Sequence, residues 1–369
     1  MVTKKTKFAV DLMMDSGIFS AWNRGKSLNL LDYIKYVKDN KHLLWTYVNM
    51  DEIPGKFGQK RTQRDVDESA EISYYNLQTM KSHGLHPIPV FHQGERFTWL
   101  EQLLKDGEDY IGISSAKDLN RPAQQAWLDQ VFSILCDGRG RPIIKTHGFG
   151  ISRVAFLLRY PWWSSDSTTW SLTPGYGSIL VPPWDGRKFD YSRSAFRCVT
   201  SGVQQTGATL QKRQFEALGP QQQAVVLRYL AEIGVTLVEA RYSTQQRRRC
   251  VLHYYLQLQK HLDGVNFRGH GKAKSEGMAP FRTNIVYATM LDKAWGQLMN
   301  ELGARTRLLS YWEMRDQPSE VLARYVETGT HGPWVPRAPK QSWKSEAYRN
   351  YRRAALHRRG LQDGEEITA

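Results

Sequence analysis

The feature that most constrains the fold is an alternation, along the first half of the chain, of short apolar runs with segments of helical periodicity. Each of the first five apolar runs is followed by a segment whose apolar residues recur at helical spacing. Such alternation predicts parallel β-strands joined by helical crossovers. The six predicted strands are Phe8–Met14, Leu43–Met50, His86–Gln93, Tyr110–Ser115, Ile143–Gly150 and Trp163–Ser167.

Two architectures accommodate repeated βα units, a closed barrel and an open doubly wound sheet. No G-x-G-x-x-G motif follows the first strand and no G-x-x-x-x-G-K-[ST] motif occurs, which argues against a dinucleotide-binding sheet and a P-loop NTPase. Polar or glycine residues instead cluster where the apolar runs end, as catalytic groups do in barrel enzymes. We therefore predict an α/β fold, a TIM-like (β/α)8 barrel. The alternative is that these residues are only turn residues and helix caps.

The second half of the chain is less regular. After about Gly177 the pattern predicts a strand in GSILVPP, a helix broken at Gly219 and Pro220, a strong amphipathic helix over Arg247–Gly264 and another helical stretch over Thr283–Gly303. The last two barrel strands are not located by this pattern. We predict a barrel with helical insertions over residues 1–335 and a basic C-terminal extension over residues 336–369.

The charge of the chain indicates an anionic partner. It carries 51 Lys and Arg against 36 Asp and Glu, a net charge of +15, and a field of that sign attracts polyanions. Nucleic acid is the expected partner, with an anionic membrane surface as the alternative. In the C-terminal extension, aromatic residues interleave with cations that suit phosphate contact, or that form a solvated helix face: Arg349, Arg352, Arg353, Arg358 and Arg359.

Two further observations concern the compartment. No apolar run is long enough to span a bilayer, and Asp11 interrupts the short apolar stretch that follows the basic N-terminus. The three cysteines, Cys136, Cys198 and Cys250, match no disulfide framework. We expect a cytoplasmic protein with reduced thiols and no membrane partner.

Two carboxylates at strand ends, Asp15 and Asp166, are the strongest candidates for chemistry. Replacing a base at C1′ of a sugar passes through an oxocarbenium-like centre, which one carboxylate attacks or stabilises while the other moves protons. A glycoside or N-glycoside hydrolase would use the same pair with water as acceptor. Each aspartate has a rival interpretation as a helix cap.

The strand ends also carry a family resemblance. The segment D-S-G-I-F, from Asp15 to Phe19, resembles the D-S-G-G-F-Q motif of tRNA-guanine transglycosylases. Five further segments resemble family motifs in the same order, and together they cover Phe8 to Trp170. These are N-M-D-E at Asp51, F-H-Q-G at Gln93 and Gly94, Y-I-G-I-S-S at Ser114 and Ser115, H-G-F-G-I at His147, and S-S-D-S at Asp166.

Three departures from the family narrow the resemblance. The C-x-C-x-x-C zinc motif is absent, so we predict no structural zinc and no cofactor. The P-T-R-x-G-R stretch after the nucleophile is replaced by S-T-T-W-S-L, and the glycines of A-I-G-G are serines. These departures resemble the phage and bacterial branch that exchanges guanine in DNA for a 7-deazaguanine (DpdA). That resemblance implies a TIM barrel, a DNA substrate and protection of phage DNA from restriction, in the host cytoplasm.

The resemblance also implies residue roles. Asp166 would attack C1′ as the nucleophile, and Asp15 would be the general acid and base. Asp51 would accept hydrogen bonds from the N1–H and 2-amino edge of the base, and Gln93 would contact O6. Further expected contacts of the base are Gly94, Ser114, Ser115, Ser16, Phe19 and His147, the last also interpretable as a structural histidine.

Alternatives remain open from the sequence. The same chemistry could act on tRNA, and a barrel that only binds DNA would be supported if Asp15 and Asp166 pointed away from any shared pocket. Reaching a pocket at a barrel mouth implies base flipping or a single-stranded substrate. Neither the inserted 7-deazaguanine nor dimerisation follows from the sequence.

Overall fold

A computed structural model of the chain describes residues 9–55, 61–115, 120–138, 140–202, 211–263, 284–288 and 293–330. The chain divides into two units, residues 1–332 and 333–369. All described residues belong to the first unit. The predicted basic extension over residues 336–369 lies outside the described residues and stays a prediction.

The described part contains one large parallel sheet and one antiparallel hairpin. The sheet has eight strands in the order β2-β1-β10-β9-β6-β5-β4-β3, and the hairpin pairs β7 with β8. The strands are β1 Asp11–Asp15, β2 Thr46–Tyr47, β3 Val90–His92, β4 Tyr110–Ser114, β5 Lys145–Phe149, β6 Ser164–Ser167, β7 Ser178–Val181, β8 Phe196–Val199, β9 Asn284–Ala288 and β10 Thr306–Ser310.

The two edges of the large sheet meet. Val48, directly after β2, forms a parallel bridge with Ile88, which precedes β3. The amide of Asn49 donates to the carbonyl of Ile88 over 2.8 Å, and the amide of Ile88 donates to the carbonyl of Tyr47 over 2.9 Å. The sheet is therefore curled, and the predicted α/β fold with parallel strands is confirmed.

Helices join the strands as the sequence pattern predicted. Side chains cap the N-terminal ends of several helices. The Asn29 side chain accepts hydrogen bonds from two backbone amides in the first turn of α2. Thr62 and Asp65 form a capping box on α3, and Asn120 caps α5. The helices are α1 Ile18–Trp22, α2 Leu30–Asn40, α3 Gln63–Ser82, α4 Phe97–Lys105, α5 Arg121–Leu135, α6 Val154–Arg159, α7 Thr169–Gly175, α8 Pro220–Ile233, α9 Leu237–Tyr242, α10 Thr244–Asp263, α11 Lys293–Leu302, α12 Tyr311–Met314 and α13 Ser319–Thr328.

Alternation along β1 defines the two faces of the sheet. Leu12 and Met14 pack in an apolar cluster that includes residues of α2 and α13. Met13 belongs to a separate cluster on the inner face, whose buried members are Met13, Val48, Ile88, Val90, Val286 and Leu308. Because side chains alternate along a strand, Asp15 shares the inner face with Met13 and lies at the carboxyl end of β1.

The chain from β6 to β9 carries an insertion that the sequence had only partly predicted. Strand β7 confirms the prediction for GSILVPP, and α8 begins at Pro220, so the break at Gly219 and Pro220 is confirmed. Within this insertion Cys198 and Cys250 are fully buried. The hydroxyl of Tyr229 donates to the carbonyl of Cys250 over 2.9 Å and joins α8 to α10.

One prediction for the second half is wrong. The stretch Thr283–Gly303 is not wholly helical, because Asn284–Ala288 forms β9 between β6 and β10. Ile285 and Val286 are buried in different apolar clusters, as neighbours on a strand with two covered faces are. Strands β9 and β10 belong to the eight-stranded parallel sheet, and they are the two strands that the sequence pattern did not locate.

No helix in the described ranges combines the length and the apolar character needed to cross a bilayer.

Gly112 on β4 supplies room on the inner face for Phe149. A Cβ at this position would lie 2.4 Å from Cε2 of Phe149. We predict that Gly112→Ala lowers the free energy of unfolding by about 1–3 kcal/mol through overpacking, measured by urea unfolding. The penalty should shrink in a Phe149→Leu background, because the two sites are in contact. Gly138→Ala is the control, since a Cβ there meets nothing within 4 Å; equal costs at both glycines would contradict this packing.

Candidate functional site at the carboxyl ends of the strands

Asp15 ends β1 on the inner face of the sheet. Its register partner is Ser310 at the end of β10. The chain then turns sharply at Gly17, which has φ +76° and lies against Ser310 and Trp312, so a side chain there would collide with both. This turn brings the backbone amides of Ser16 and Gly17 to the Asp15 carboxylate as hydrogen-bond donors.

The environment of Asp15 favours its protonated form. Burial contributes most, and the negative charges of Asp51 and Asp166 add to it; together they raise the pKa of Asp15 from 3.8 to about 7, against the opposing effect of the two backbone amides. Asp51 and Asp166 are therefore within electrostatic reach of Asp15.

Asp51 follows β2 and is held by two side chains. His92, at the end of β3, places Nε2 3.0 Å from Oδ2 of Asp51, and its Nδ1 lies 2.9 Å from Oε1 of Glu95. The hydroxyl of Ser16 donates to Oδ1 of Asp51 over 3.4 Å. All four residues are buried, so Asp51 has a fixed orientation.

His92 is the positive charge of this cluster. Burial on its own would lower the pKa of His92, but the hydrogen bonds to Asp51 and Glu95 and their negative charges raise it to about 10. His92 is therefore protonated at neutral pH and bridges two carboxylates. Without it, both carboxylates would be buried without a counter-charge, which is strongly unfavourable.

Asp166 lies on β6, three strands from β1 in the sheet order. Its Oδ1 accepts a hydrogen bond of 2.9 Å from the backbone amide of Gly150, and Nε2 of His147 lies 3.3 Å from the same oxygen. Oδ2 has no hydrogen-bond partner among the described residues. The carboxylate thus has one oxygen bound and the other available.

His147 lies in the middle of β5 and is fully buried. Its Nδ1 is 2.6 Å from the hydroxyl of Ser164 on β6, which in turn hydrogen-bonds to the hydroxyl of Tyr110 on β4. Phe149 packs edge-on against the imidazole, with ring centroids 4.4 Å apart. His147 therefore sits beneath Asp166 and contacts that carboxylate from inside the sheet.

The other residues expected to contact a base lie around the same end of the sheet. Gln93 is buried, and its backbone amide donates to the carbonyl of Ser114 over 2.9 Å. Ser114 ends β4 and Ser115 follows it, both partly exposed, while Gly94 has φ +109° and is exposed. Their contacts with a base stay predictions.

Three further predicted site residues have informative positions. Ser16 is fully buried and acts on Asp51, so its expected role as a direct base contact becomes a role in orienting Asp51. Phe19 on α1 is 41% exposed, with its ring centroid 5.9 Å from that of Trp22, so a flat surface is available beside Asp15. The predicted phosphate-binding arginines Arg349, Arg352, Arg353, Arg358 and Arg359 lie outside the described residues.

Among the described residues, no group of three or more His, Cys, Asp or Glu side chains is arranged to hold a metal ion. Cys136, Cys198 and Cys250 are all free thiols. Burial raises the pKa of each of these thiols to about 12, so each stays protonated. Whether the protein as a whole holds zinc stays a prediction.

Sequence reasoning did not assign roles to His92, Glu95, Ser164 or Tyr110. The signal for His92 was present, because it stands two residues after the inward-facing Val90 and therefore shares its face. Ser164 stands two residues before Asp166 on β6 and therefore shares its face of the sheet. Tyr110 opens its strand, at the end opposite to the cluster of polar residues, where a search of strand ends does not look.

Comparison of the chain with models of protein families, with curated proteins and with solved structures finds no match. The argument for function therefore depends on the geometry and electrostatics of this site.

The pKa of Asp15 predicts a pH dependence of stability. Between about pH 4 and pH 7 the folded state retains a proton that the unfolded chain releases, so the ionised group costs stability as the pH rises through this window. Between pH 4 and pH 7 the free energy of unfolding of the wild-type protein should fall by about 4 kcal/mol relative to that of Asp15→Asn. Above pH 7 the difference between the two proteins should stay constant. Urea unfolding of both proteins at a series of pH values measures the difference. A difference that does not change with pH would contradict the assignment.

Proposed function

We propose that the chain is a base-exchange glycosyltransferase that replaces guanine in DNA with a 7-deazaguanine derivative. The observation that carries this proposal is the convergence of Asp15, Asp51 and Asp166 from three strands, with the pKa of Asp15 raised to about 7. A reaction that needs one ionised carboxylate and one protonated carboxyl group at neutral pH is supported by such a pair. We further propose that the curled sheet is a closed (β/α)8 barrel whose mouth holds the site.

Asp166 is the nucleophile in this proposal. Its Oδ2 attacks C1′ of a deoxyguanosine, the C1′–N9 bond breaks, and a covalent glycosyl-aspartate forms. The Gly150 amide and His147 hold Oδ1 on the opposite side of the carboxylate. Oδ2 is thus the oxygen presented to the substrate.

Asp15 is the general acid and base. A carboxyl group with a pKa of about 7 is present in both forms near neutral pH, which suits a group that gives and takes a proton in one cycle. It protonates the departing guanine and then takes the N9 proton of the incoming 7-deazaguanine. That base attacks C1′, and the bond from C1′ to Asp166 breaks, so the enzyme returns to its starting state.

Asp51 provides base recognition in this proposal. His92 and Ser16 fix its orientation, and each carboxylate oxygen accepts more than one hydrogen bond. The N1–H and 2-amino groups of guanine are donors that match it. Gln93, Gly94, Ser114 and Ser115 surround the O6 side, and Phe19 offers an aromatic face.

A cationic and aromatic surface lies next to Asp15 and suits a nucleic-acid strand. The guanidinium carbons of Arg24 and Arg315 are 5.8 Å and 3.6 Å from the ring centroid of Trp312. Trp312 follows β10 and contacts the turn at Gly17. Arg24 has no carboxylate partner among the described residues. Arg315 also lies 3.7 Å from Asp316 and donates from Nη1 to the carbonyl of Trp312. Stacked arginines present their remaining N–H groups to phosphate oxygens, so this surface could hold the backbone beside a flipped nucleotide.

The nucleophile assignment is tested by exchange of labelled guanine into DNA. Asp166→Ala should lose at least about 10³-fold in exchange rate, while its affinity for DNA in a filter-binding assay stays within about twofold, since the nucleophile supplies little binding energy. Asp109→Asn is the matched control, because that carboxylate is largely exposed and precedes β4 at the opposite end of the sheet. Full exchange by Asp166→Ala would exclude the assignment.

The same assay separates the substrates. Label that enters tRNA and not DNA would identify the RNA branch of the chemistry. Release of guanine without incorporation would indicate a hydrolase.

The surface around Trp312 is tested by salt-dependent binding of a single-stranded oligonucleotide. The double variant Arg24→Gln, Arg315→Gln should bind at least about 10-fold more weakly and should show a slope of log affinity against log salt smaller by about 1–2, as expected when one or two phosphate contacts are lost. Arg141→Gln is the control, because Arg141 is paired with Asp137 and lies before β5, at the other end of the sheet. An unchanged slope in the double variant would contradict this surface.

A further inference from the structure

A buried chain of polar contacts links three adjacent strands and ends at Asp166, and its last contact, from Nε2 of His147, is a close approach of 3.3 Å without hydrogen-bond geometry. Tyr110 opens β4, Ser164 opens β6, and His147 lies between them on β5, in register with Ser164. The hydroxyls of Tyr110 and Ser164 are hydrogen-bonded, Ser164 is 2.6 Å from Nδ1 of His147, and Nε2 of His147 is 3.3 Å from Oδ1 of Asp166. Ser164 and His147 are fully buried.

The direction of these hydrogen bonds follows from the donors available. An ionised Asp166 can only accept, so Nε2 of His147 must carry a hydrogen to bond to it. Nδ1 is then an acceptor in the neutral ring, and the Ser164 hydroxyl donates to it. Tyr110 in turn donates to Ser164, and burial raises the pKa of Tyr110, so that its phenol keeps the proton.

The opposite direction leaves a hydrogen unused. If Nδ1 donated to Ser164, the Ser164 hydroxyl would donate to Tyr110, and the Tyr110 hydroxyl would have no acceptor among the described residues. Nε2 would also face an acceptor carboxylate without a hydrogen between them, or would require a charged ring in a fully buried position. The first arrangement gives the Tyr110 and Ser164 hydroxyls an acceptor each and leaves the Nε2–H 3.3 Å from the Asp166 carboxylate.

We propose that His147 is a positioning residue for the nucleophile: its neutral Nε2–H tautomer, fixed by Ser164 and Tyr110, holds Oδ1 of Asp166 so that Oδ2 faces the substrate. This proposal rests on the proposed function for the role of Asp166. The tautomer itself is a property of the protein alone.

The Nε2–H serves both halves of the reaction. Before attack, it and the Gly150 amide keep Oδ1 on the side of the carboxylate away from the substrate. In the second half, the C1′–Oδ2 bond breaks and its electron pair returns to the carboxylate, whose charge the Nε2–H and the Gly150 amide again stabilise. His147 gives up no proton in either step.

The imidazole is held in place by packing as well as by hydrogen bonds. Phe149 lies edge-on against it, and Phe149 fits only because residue 112 is glycine. The ring therefore has little freedom to rotate away from Asp166, which a positioning role requires.

The tautomer can be measured without any activity. In protein labelled with 15N at histidine, long-range proton–nitrogen correlation spectra distinguish a protonated ring nitrogen from a bare one. The His147 signals are those missing from His147→Leu. We expect Nε2 protonated and Nδ1 bare in the wild-type protein, and a loss of this single tautomer in Ser164→Ala. Protonation at Nδ1 only, or at both nitrogens, would overturn the proposal.

The effect on the nucleophile is measured in a single turnover of enzyme with guanine-containing DNA, by the rate of covalent adduct formation. His147→Leu should slow this rate about 10²-fold, as the loss of one oriented donor does, without changing DNA affinity. His147→Gln should slow adduct formation less. On a logarithmic scale of rate, it should recover at least about a third of the loss seen in His147→Leu, because the Gln amide can place an N–H near the position of Nε2. Equal rates in the Leu and Gln variants would overturn the positioning role.

Thr146→Val is the control for buried polar changes on β5. Thr146 is fully buried, and its hydroxyl has no partner among the described residues, so this variant should form adduct at the wild-type rate. If the wild-type protein forms no adduct with any nucleic acid while the Nε2–H tautomer is found, the proposed function fails and the tautomer assignment stands. If adduct forms but the proton of His147 is found at Nδ1, the proposal for His147 fails and the proposed function stands.

Discussion

The ion pair of His92 with Asp51 and Glu95 is the interaction on which the rest of the site depends. Four carboxylates with low exposure, Asp15, Asp51, Glu95 and Asp166, lie in one cluster, and like charges in a poorly solvated cluster repel strongly. A protonated His92, with its pKa raised to about 10 by two carboxylates, offsets one of those charges inside the protein. Burial and the remaining negative charges of Asp51 and Asp166 raise the pKa of Asp15 to about 7. The same histidine thus orients Asp51 and supplies the positive charge between Asp51 and Glu95.

The two histidines of the site have opposite electrostatic roles because they have different partners. His92 lies between two carboxylates, which stabilise the charged ring. His147 lies between a hydroxyl and one carboxylate that already accepts from the Gly150 amide. The two carboxylates beside His92 need a cation between them, whereas the single carboxylate beside His147 needs only one oriented N–H group. The proposed base exchange would require this difference, since Asp51 would have to keep one geometry while the charge on Asp166 disappears and returns during each cycle.

Much of the fold was predictable from periodicity, and the reason lies in particular residues. The end of β1 was evident because Leu12 to Met14 are apolar and Asp15 with Gly17 interrupts them. Strand β9 was missed because Asn284–Ala288 directly precedes a helix and the long insertion separates it from β6, so local pattern alone did not distinguish it. Ser164 and its contact with the predicted site residue His147 were missed for another reason. Which face Ser164 and His147 share is decided by the register of β5 with β6, and a single sequence does not state that register.

The proposed positioning role of His147 also explains the polar residues inside β4, β5 and β6. A buried hydroxyl or imidazole is costly unless it is hydrogen-bonded. The Ser164 hydroxyl and Nδ1 of His147 meet this condition through each other and Tyr110, whereas Nε2 of His147 only approaches Asp166 to 3.3 Å. Apolar side chains at these positions of the three strands would cover the inner face without any need for hydrogen bonds. Apolar packing is used nearby, where Phe149 lies against Gly112. The polar chain is therefore better explained by what it does for Asp166 than by what it does for the sheet.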